Sequence, residues 1–177
     1  VGKPTERRNL SALVRAFAQL KEEGFPHRLA ILGAALPWTS PFAQVIHELG
    51  LERQVTVRGH LTHEELVLAY NAADLLMYPS SYEGFGMPVL EGMACGTPVI
   101  ALDNTAFPEF AGGVAQLLPD ARVSTLLAGM RRVLSDDPLR SSLRMAGPAR
   151  AARYDWRIIT QQYLDLMVPL ARKGRFA

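Results

Sequence analysis

Cysteine is almost absent from this sequence. Cys95 is the only one in 177 residues, so no internal disulfide can form, which fits a reducing, cytoplasmic setting. Histidine is sparse as well, and His27, His47, His60 and His63 with one thiol show no metal-ligand spacing, so no metal site is expected. No apolar run reaches the roughly 18 residues needed to cross a bilayer. No signal-peptide pattern opens the chain either. The first residues, Val1-Gly2-Lys3-Pro4, read like the tail of a strand, so the sequence is expected to be a piece of a longer protein. Lysine is scarce, with three (Lys3, Lys21, Lys173) against sixteen arginines. The pI near 8.9 raises nucleic acid as a partner. That class is set aside, because the basic residues are scattered among acids rather than gathered in a stripe with aromatics. No Asp-x-Asp pair occurs that could hold a metal. Ser80 and Ser81 lack a nucleophile-elbow context, which argues against a hydrolase.

What is present reads as one globular domain over 1–177, with 49% hydrophobic and 20% charged residues. Leu10, Leu13, Val14, Phe17 and Leu20 recur at helical spacing and predict a helix over 9–23. Apolar runs at 28–33, 54–59, 74–79, 98–102 and 114–118 predict strands. Between them, Ser40-Pro41 opens one helix and the Thr62 to Glu65 capping box another, with a further helix starting near Gly86 to Pro88. Leu126, Leu127, Met130, Val133 and Leu134 mark a late helix. Asp137-Pro138 and Asp155-Trp156 look like cap-and-first-turn pairs for two more, the last striped by Ile159, Tyr163, Leu166, Met167 and Leu170. Strands alternating with helices predict a doubly wound parallel α/β sheet covered on both faces. The final helices either fold back over it or pack on something outside this chain.

The stretch "SSYEGFGMPVLEGMACGTPVIALD" carries the chemistry. It follows a predicted strand and opens a helix, the place where open α/β sheets bind ligands. Gly84 and Gly86 let backbone N–H groups turn outward and approach a ligand closely. With a helix N-terminus behind them, those donors suit phosphate or sugar oxygens. Glu83 stands before the loop and Glu91 one turn into the helix. A carboxylate accepting two hydrogen bonds suits a vicinal diol, so the pattern points to a ligand that is part phosphate and part polyol. The alternative is a plain helix start with acidic residues that serve stability alone.

This stretch resembles the E-x7-E signature of the C-terminal domain of retaining GT-B glycosyltransferases of the large family 4 group. The likeness extends through "VGKPTERRNLSALVRAF", "QVTVRGHLTHEELVLAYNAADLLMYPS", "NTAFPEFAGG" and "YDW", which together cover nearly the whole chain. It implies a Rossmann-like doubly wound sheet, the C-terminal half of a GT-B fold, with the acceptor-binding N-terminal domain absent. It implies a nucleoside diphosphate sugar as partner and a sugar moved to an acceptor hydroxyl with retention, without a metal or other cofactor. Glu83 would hold sugar hydroxyls as the catalytic-region carboxylate, and Glu91 the ribose hydroxyls. The N–H groups of Phe85, Gly86 and Met87 would meet sugar and phosphate oxygens beside Gly84. Lys3 and Arg8 match the family's basic pair on the diphosphate, with Arg7 a weaker candidate, and backbone near Leu61 would border the base. Any membrane association would run through the absent half. Without it, the 177 residues are expected to bind donor weakly and to transfer no sugar.

Two rivals stand beside this reading, a nucleotide-sugar epimerase of related build and a non-enzymatic nucleotide-sugar-binding module. Several residues are read as structural. His47 sits inside a helix, His63 follows a cap, and Cys95 packs as a small apolar residue. Glu109 lies in a turn after Pro108, where it either orders the site or caps the loop. Trp156 is expected to anchor the last helix in the core.

Overall fold

The computed structural model describes residues 1–2, 5–33 and 40–172. Among the described residues, five strands, β1 (Leu29–Leu32), β2 (Val55–Arg58), β3 (Leu76–Tyr78), β4 (Val99–Leu102) and β5 (Gln116–Leu118), alternate with helices. The helices are α1 (Leu10–Glu22), α2 (Pro41–Glu48), α3 (His63–Ala72), α4 (Met87–Ala94), α5 (Phe107–Ala111), α6 (Val123–Ser135), α7 (Asp137–Ala151) and α8 (Trp156–Arg172). All pairings are parallel, in a two-stranded group β1-β2 and a three-stranded group β3-β4-β5. Parallel pairing requires crossovers, and the intervening helices supply them.

β4 shows why the run at 98–102 was legible. All four of its residues are buried. Ile100 and Leu102 enter a core shared with α1, α2 and α6, while Val99 and Ala101 enter a second core with Phe107, Phe110, Val89 and Met93. Successive side chains of a strand point to opposite faces, so a strand covered on both has no polar positions. α1 lays Leu13, Val14, Phe17 and Leu20, each at most 3% exposed, into the first core. At about 1.5–3 kcal/mol for each large apolar side chain fully buried, this face outweighs any propensity term in the helix.

α7 folds back onto α4. Gly147 makes that approach possible, since a Cβ there would lie 2.8 Å from the carbonyl oxygen of Met93. Arg150 at its far end donates to the carbonyl of Phe110 (3.0 Å), tying α7 to α5.

Four expectations are corrected. The cap of α7 is Asp136, whose carboxylate accepts from the Leu139 N–H at 2.8 Å, while Asp137 and Pro138 are the first helical residues. Glu109 is not in a turn but on α5, exposed to solvent. The last strand begins at Gln116 rather than residue 114. Trp156 is no core anchor, being 75% exposed. The stripe of α8 is likewise uncovered, with Tyr163, Leu166 and Met167 all exposed.

Candidate functional site

The site forms at the carboxyl end of β3, where three separate segments meet. The loop after β3 runs Pro79 to Gly86 and ends at the N-terminus of α4. A 3-10 turn over Glu6–Arg8 precedes α1 and docks on this loop through backbone, the Ser81 N–H donating to the carbonyl of Arg7 at 2.8 Å. Asn9, in the left-handed conformation (φ 51°), locks the junction. Its Nδ2 reaches the carbonyl of Pro79 at 2.8 Å and Oγ of Ser81 at 2.7 Å. From the other side Asn104 donates to the carbonyl of Ser81 (3.2 Å), and the Glu83 N–H donates to Oγ1 of Thr105 (3.4 Å).

This clamp brings two arginines to Glu83. Nε of Arg8 lies 3.3 Å from Oε1 and a terminal nitrogen of Arg7 lies 3.5 Å from Oε2. The Arg8 side chain is 13% exposed and that of Arg7 nearly half exposed. Nε of Arg8 is within ion-pairing distance but not aligned as a hydrogen bond to any partner. The Arg8 guanidinium also donates to the carbonyl of Val1 (3.2 Å) and sits 4.4 Å from the centre of the Tyr78 ring, a cation–π contact. Oε1 of Glu83 further accepts from Ser80 Oγ at 2.8 Å and Tyr78 OH at 3.2 Å. The carboxylate is therefore crowded at Oε1 and has room at Oε2. Burial first, and the Glu83 charge after it, push the Tyr78 phenol far above its usual range, so it donates as a neutral hydroxyl.

Glu91 lies one turn into α4. Its Oε2 accepts from the buried Tyr70 OH at 2.8 Å, and the backbone carbonyl of Tyr70 in turn accepts from Thr97 Oγ1 at 2.7 Å. Burial, then this bond to Glu91, drive the Tyr70 phenol far above its usual range too. Tyr70 fixes one oxygen of Glu91, leaving the other for a ligand.

Gly86 supplies the turn into α4 with φ 94°, and it is packed against Phe107. Phe85 stacks on Phe110 (centroids 4.6 Å apart, 7° between planes) and meets Tyr154 edge-on, so its ring anchors the loop. Among the described residues, none accepts from the N–H of Gly84, Phe85 or Gly86. Met87 is exposed at the first position of α4. Leu61 is in the loop after β2, also at a carboxyl end, and shares no hydrogen bond with Glu83 or Glu91. Lys3 lies outside the described residues. His63 is exposed at the start of α3, and Cys95 is half-buried, with burial raising its thiol pKa. No group of three or more His, Cys, Asp or Glu among the described residues is placed to hold a metal ion.

Asn9, Tyr70, Tyr78, Asn104 and Thr105 were not legible as site residues. Tyr70 closes an ordinary helical pattern, and the distance from it to Glu91 along the chain hides their contact.

Fold and site together define an α/β domain with a cationic, glycine-looped site at the carboxyl edge of a parallel sheet. The chain belongs to the glycosyl transferases group 1 family, whose model matches residues 1–150, and its fold is the Rossmann-like C-terminal half of a GT-B fold. It is 31% identical to O-antigen chain mannosyltransferase B of Escherichia coli, over 93% of this chain and 44% of that one. Sucrose-phosphate synthase from Thermosynechococcus elongatus superposes with a TM-score of 0.79 at 31% identity, covering 96% of this chain and 44% of that chain. HepE from Anabaena, solved in complex with UDP and glucose, gives a TM-score of 0.83 at 24% identity, covering 96% of this chain and 47% of that chain. The chain thus spans less than half the length of each of these proteins.

Proposed function

We propose that this domain is the donor-binding half of a retaining, metal-independent glycosyltransferase that moves a sugar from a nucleoside diphosphate to an acceptor hydroxyl. The observation that carries it is the docking of the Arg7–Arg8 turn onto the loop of Glu83, which sets two guanidiniums against Glu83 at the start of the glycine loop. Arg8 and the N–H groups at Gly84 to Met87 would take the diphosphate, bidentately in the case of Arg8, with Lys3 a second cation. Charge grows on the leaving diphosphate in the transition state, so cations fixed there speed the chemical step rather than merely tighten binding. Oε2 of Glu83 would accept a sugar hydroxyl, and Oε1 of Glu91 a ribose hydroxyl. Leu61 would border the base. The UDP-bound state of HepE supports a nucleotide as the ligand class.

The acceptor would be bound by an N-terminal domain of the same protein, consistent with relatives more than twice this length. A cleft of about 640 Å³ runs between β1 and β3, lined by Leu29, Ile31, Leu76 and Met77 from the strands and Phe17 from α1. It excludes Glu83 and the glycine loop, so it is not the donor site. The Gly2 N–H donates to the carbonyl of Leu32 (2.8 Å), next to Val1, which lines the cleft.

The test is turnover of the longer protein with a labelled donor, following the anomeric configuration of the product by NMR, with and without Glu83→Ala. Retained configuration, lost in rate with the variant and insensitive to chelator, is expected. Inverted product would overturn the mechanism, and sugar interconversion without acceptor would favour an epimerase.

A further inference from the structure

The two cations of the site share one carboxylate, which offsets one of their two charges. Glu83 is only 10% exposed and pairs with Arg8 at Oε1 and Arg7 at Oε2. The Arg8 pair is close but poorly aligned, and its Nε has no hydrogen-bond partner although buried. An unaligned, desolvated guanidinium gains by meeting a better acceptor.

We infer that Glu83 discriminates between the intact donor and the spent nucleoside diphosphate. This rests on the donor-site reading above and extends it to selectivity. A diphosphate arriving at Arg7 and Arg8 competes with Glu83 for the same guanidiniums, and its oxygens then face a carboxylate of like charge. When the sugar is attached, its hydroxyl donates to Oε2 of Glu83, and the displaced carboxylate regains a charge-assisted partner. When the sugar has gone, the diphosphate carries one more negative charge, and Glu83 has repulsion with no hydroxyl to offset it. Ser80 and Tyr78 hold Oε1 in place, so swinging the carboxylate aside would break two hydrogen bonds and leave the Tyr78 hydroxyl unpaired, Ser80 falling back on the carbonyl of Tyr82. The site thereby favours loading of donor over retention of product.

The experiment compares matched pairs, UDP with UDP-glucose and GDP with GDP-mannose, by calorimetry on the wild-type chain, Glu83→Gln and Arg7→Gln. Glutamine keeps the shape of Glu83 and removes its charge, and thermal unfolding checks that each variant folds. For the pair that binds, Glu83→Gln is expected to tighten the nucleoside diphosphate roughly tenfold, as for one like charge removed at a partly shielded site. The same variant is expected to weaken the nucleotide sugar severalfold, as a charge-assisted hydrogen bond becomes a neutral one. Arg7→Gln, which leaves Glu83 less neutralised, is expected to weaken the free diphosphate more than the nucleotide sugar. Equal weakening of both ligands by Glu83→Gln, or no change in their ratio, overturns the inference while leaving the donor site standing. Failure of every ligand to bind any folded variant removes the donor-site reading and this inference with it.

Discussion

Gly86→Ala tests the local logic of the loop. Gly86 holds φ 94° and ψ 54°, a region that costs an L side chain about 1–2 kcal/mol. A Cβ there would also lie 2.5 Å from Cε1 and 3.1 Å from Cζ of Phe107. Phe107 is 0% exposed and packs edge-on against Tyr78 and Phe110, so it has no empty space to retreat into. Overpacking of this kind adds about 1–3 kcal/mol. The sum, roughly 2–5 kcal/mol, is a large part of the 5–15 kcal/mol typical of a whole domain. At about 2–4 °C per kcal/mol for a chain of this size, Tm should fall by roughly 5–20 °C. Thermal and urea unfolding followed by circular dichroism measure it. Combining the change with Phe107→Leu separates the two terms, because relief of the clash makes the double mutant less unstable than the sum of the singles. A Tm within 2 °C of wild type, or strict additivity in the double mutant, would refute the reasoning.

Tyr70→Phe removes the hydroxyl that holds Oε2 of Glu91. It should cost about 1 kcal/mol of stability and weaken nucleotide binding severalfold, read by urea unfolding and calorimetry; unchanged affinity would show that Glu91 needs no such support. Gly147→Ala places a methyl against the backbone of Met93, which cannot move as a side-chain tip can, so a loss of about 1–3 kcal/mol is expected in urea.

The sequence revealed those elements whose burial is set locally. β4 is apolar at every position because both its faces are covered, and the Thr62–Glu65 capping box announced α3 because both of its bonds are local (3.2 and 2.9 Å). α5 escaped because it has five residues and no side-chain cap at Ala106. Asp136 and Asp137 are adjacent acids before a proline, and only backbone geometry tells which one caps. Trp156 misled because a large aromatic predicts burial only where something covers it, and α8 presents its stripe to solvent here. The loop with Glu83, Gly86 and Glu91 stood out because glycine, proline and carboxylate patterning is local. The clamp of Asn9, Asn104 and Thr105 on that loop depends on contacts between segments far apart in the chain, and periodicity carries no such information.

Calorimetric titration of the chain with UDP, GDP and ADP, repeated on Glu91→Ala with the ligand that binds best, tests the donor-site account most directly. The account predicts that one nucleotide binds and that the variant loses roughly one to two orders of magnitude in affinity, as expected when a carboxylate's paired hydrogen bonds to a diol are removed. Binding that Glu91→Ala leaves unchanged would contradict it, because the ribose would then lie elsewhere.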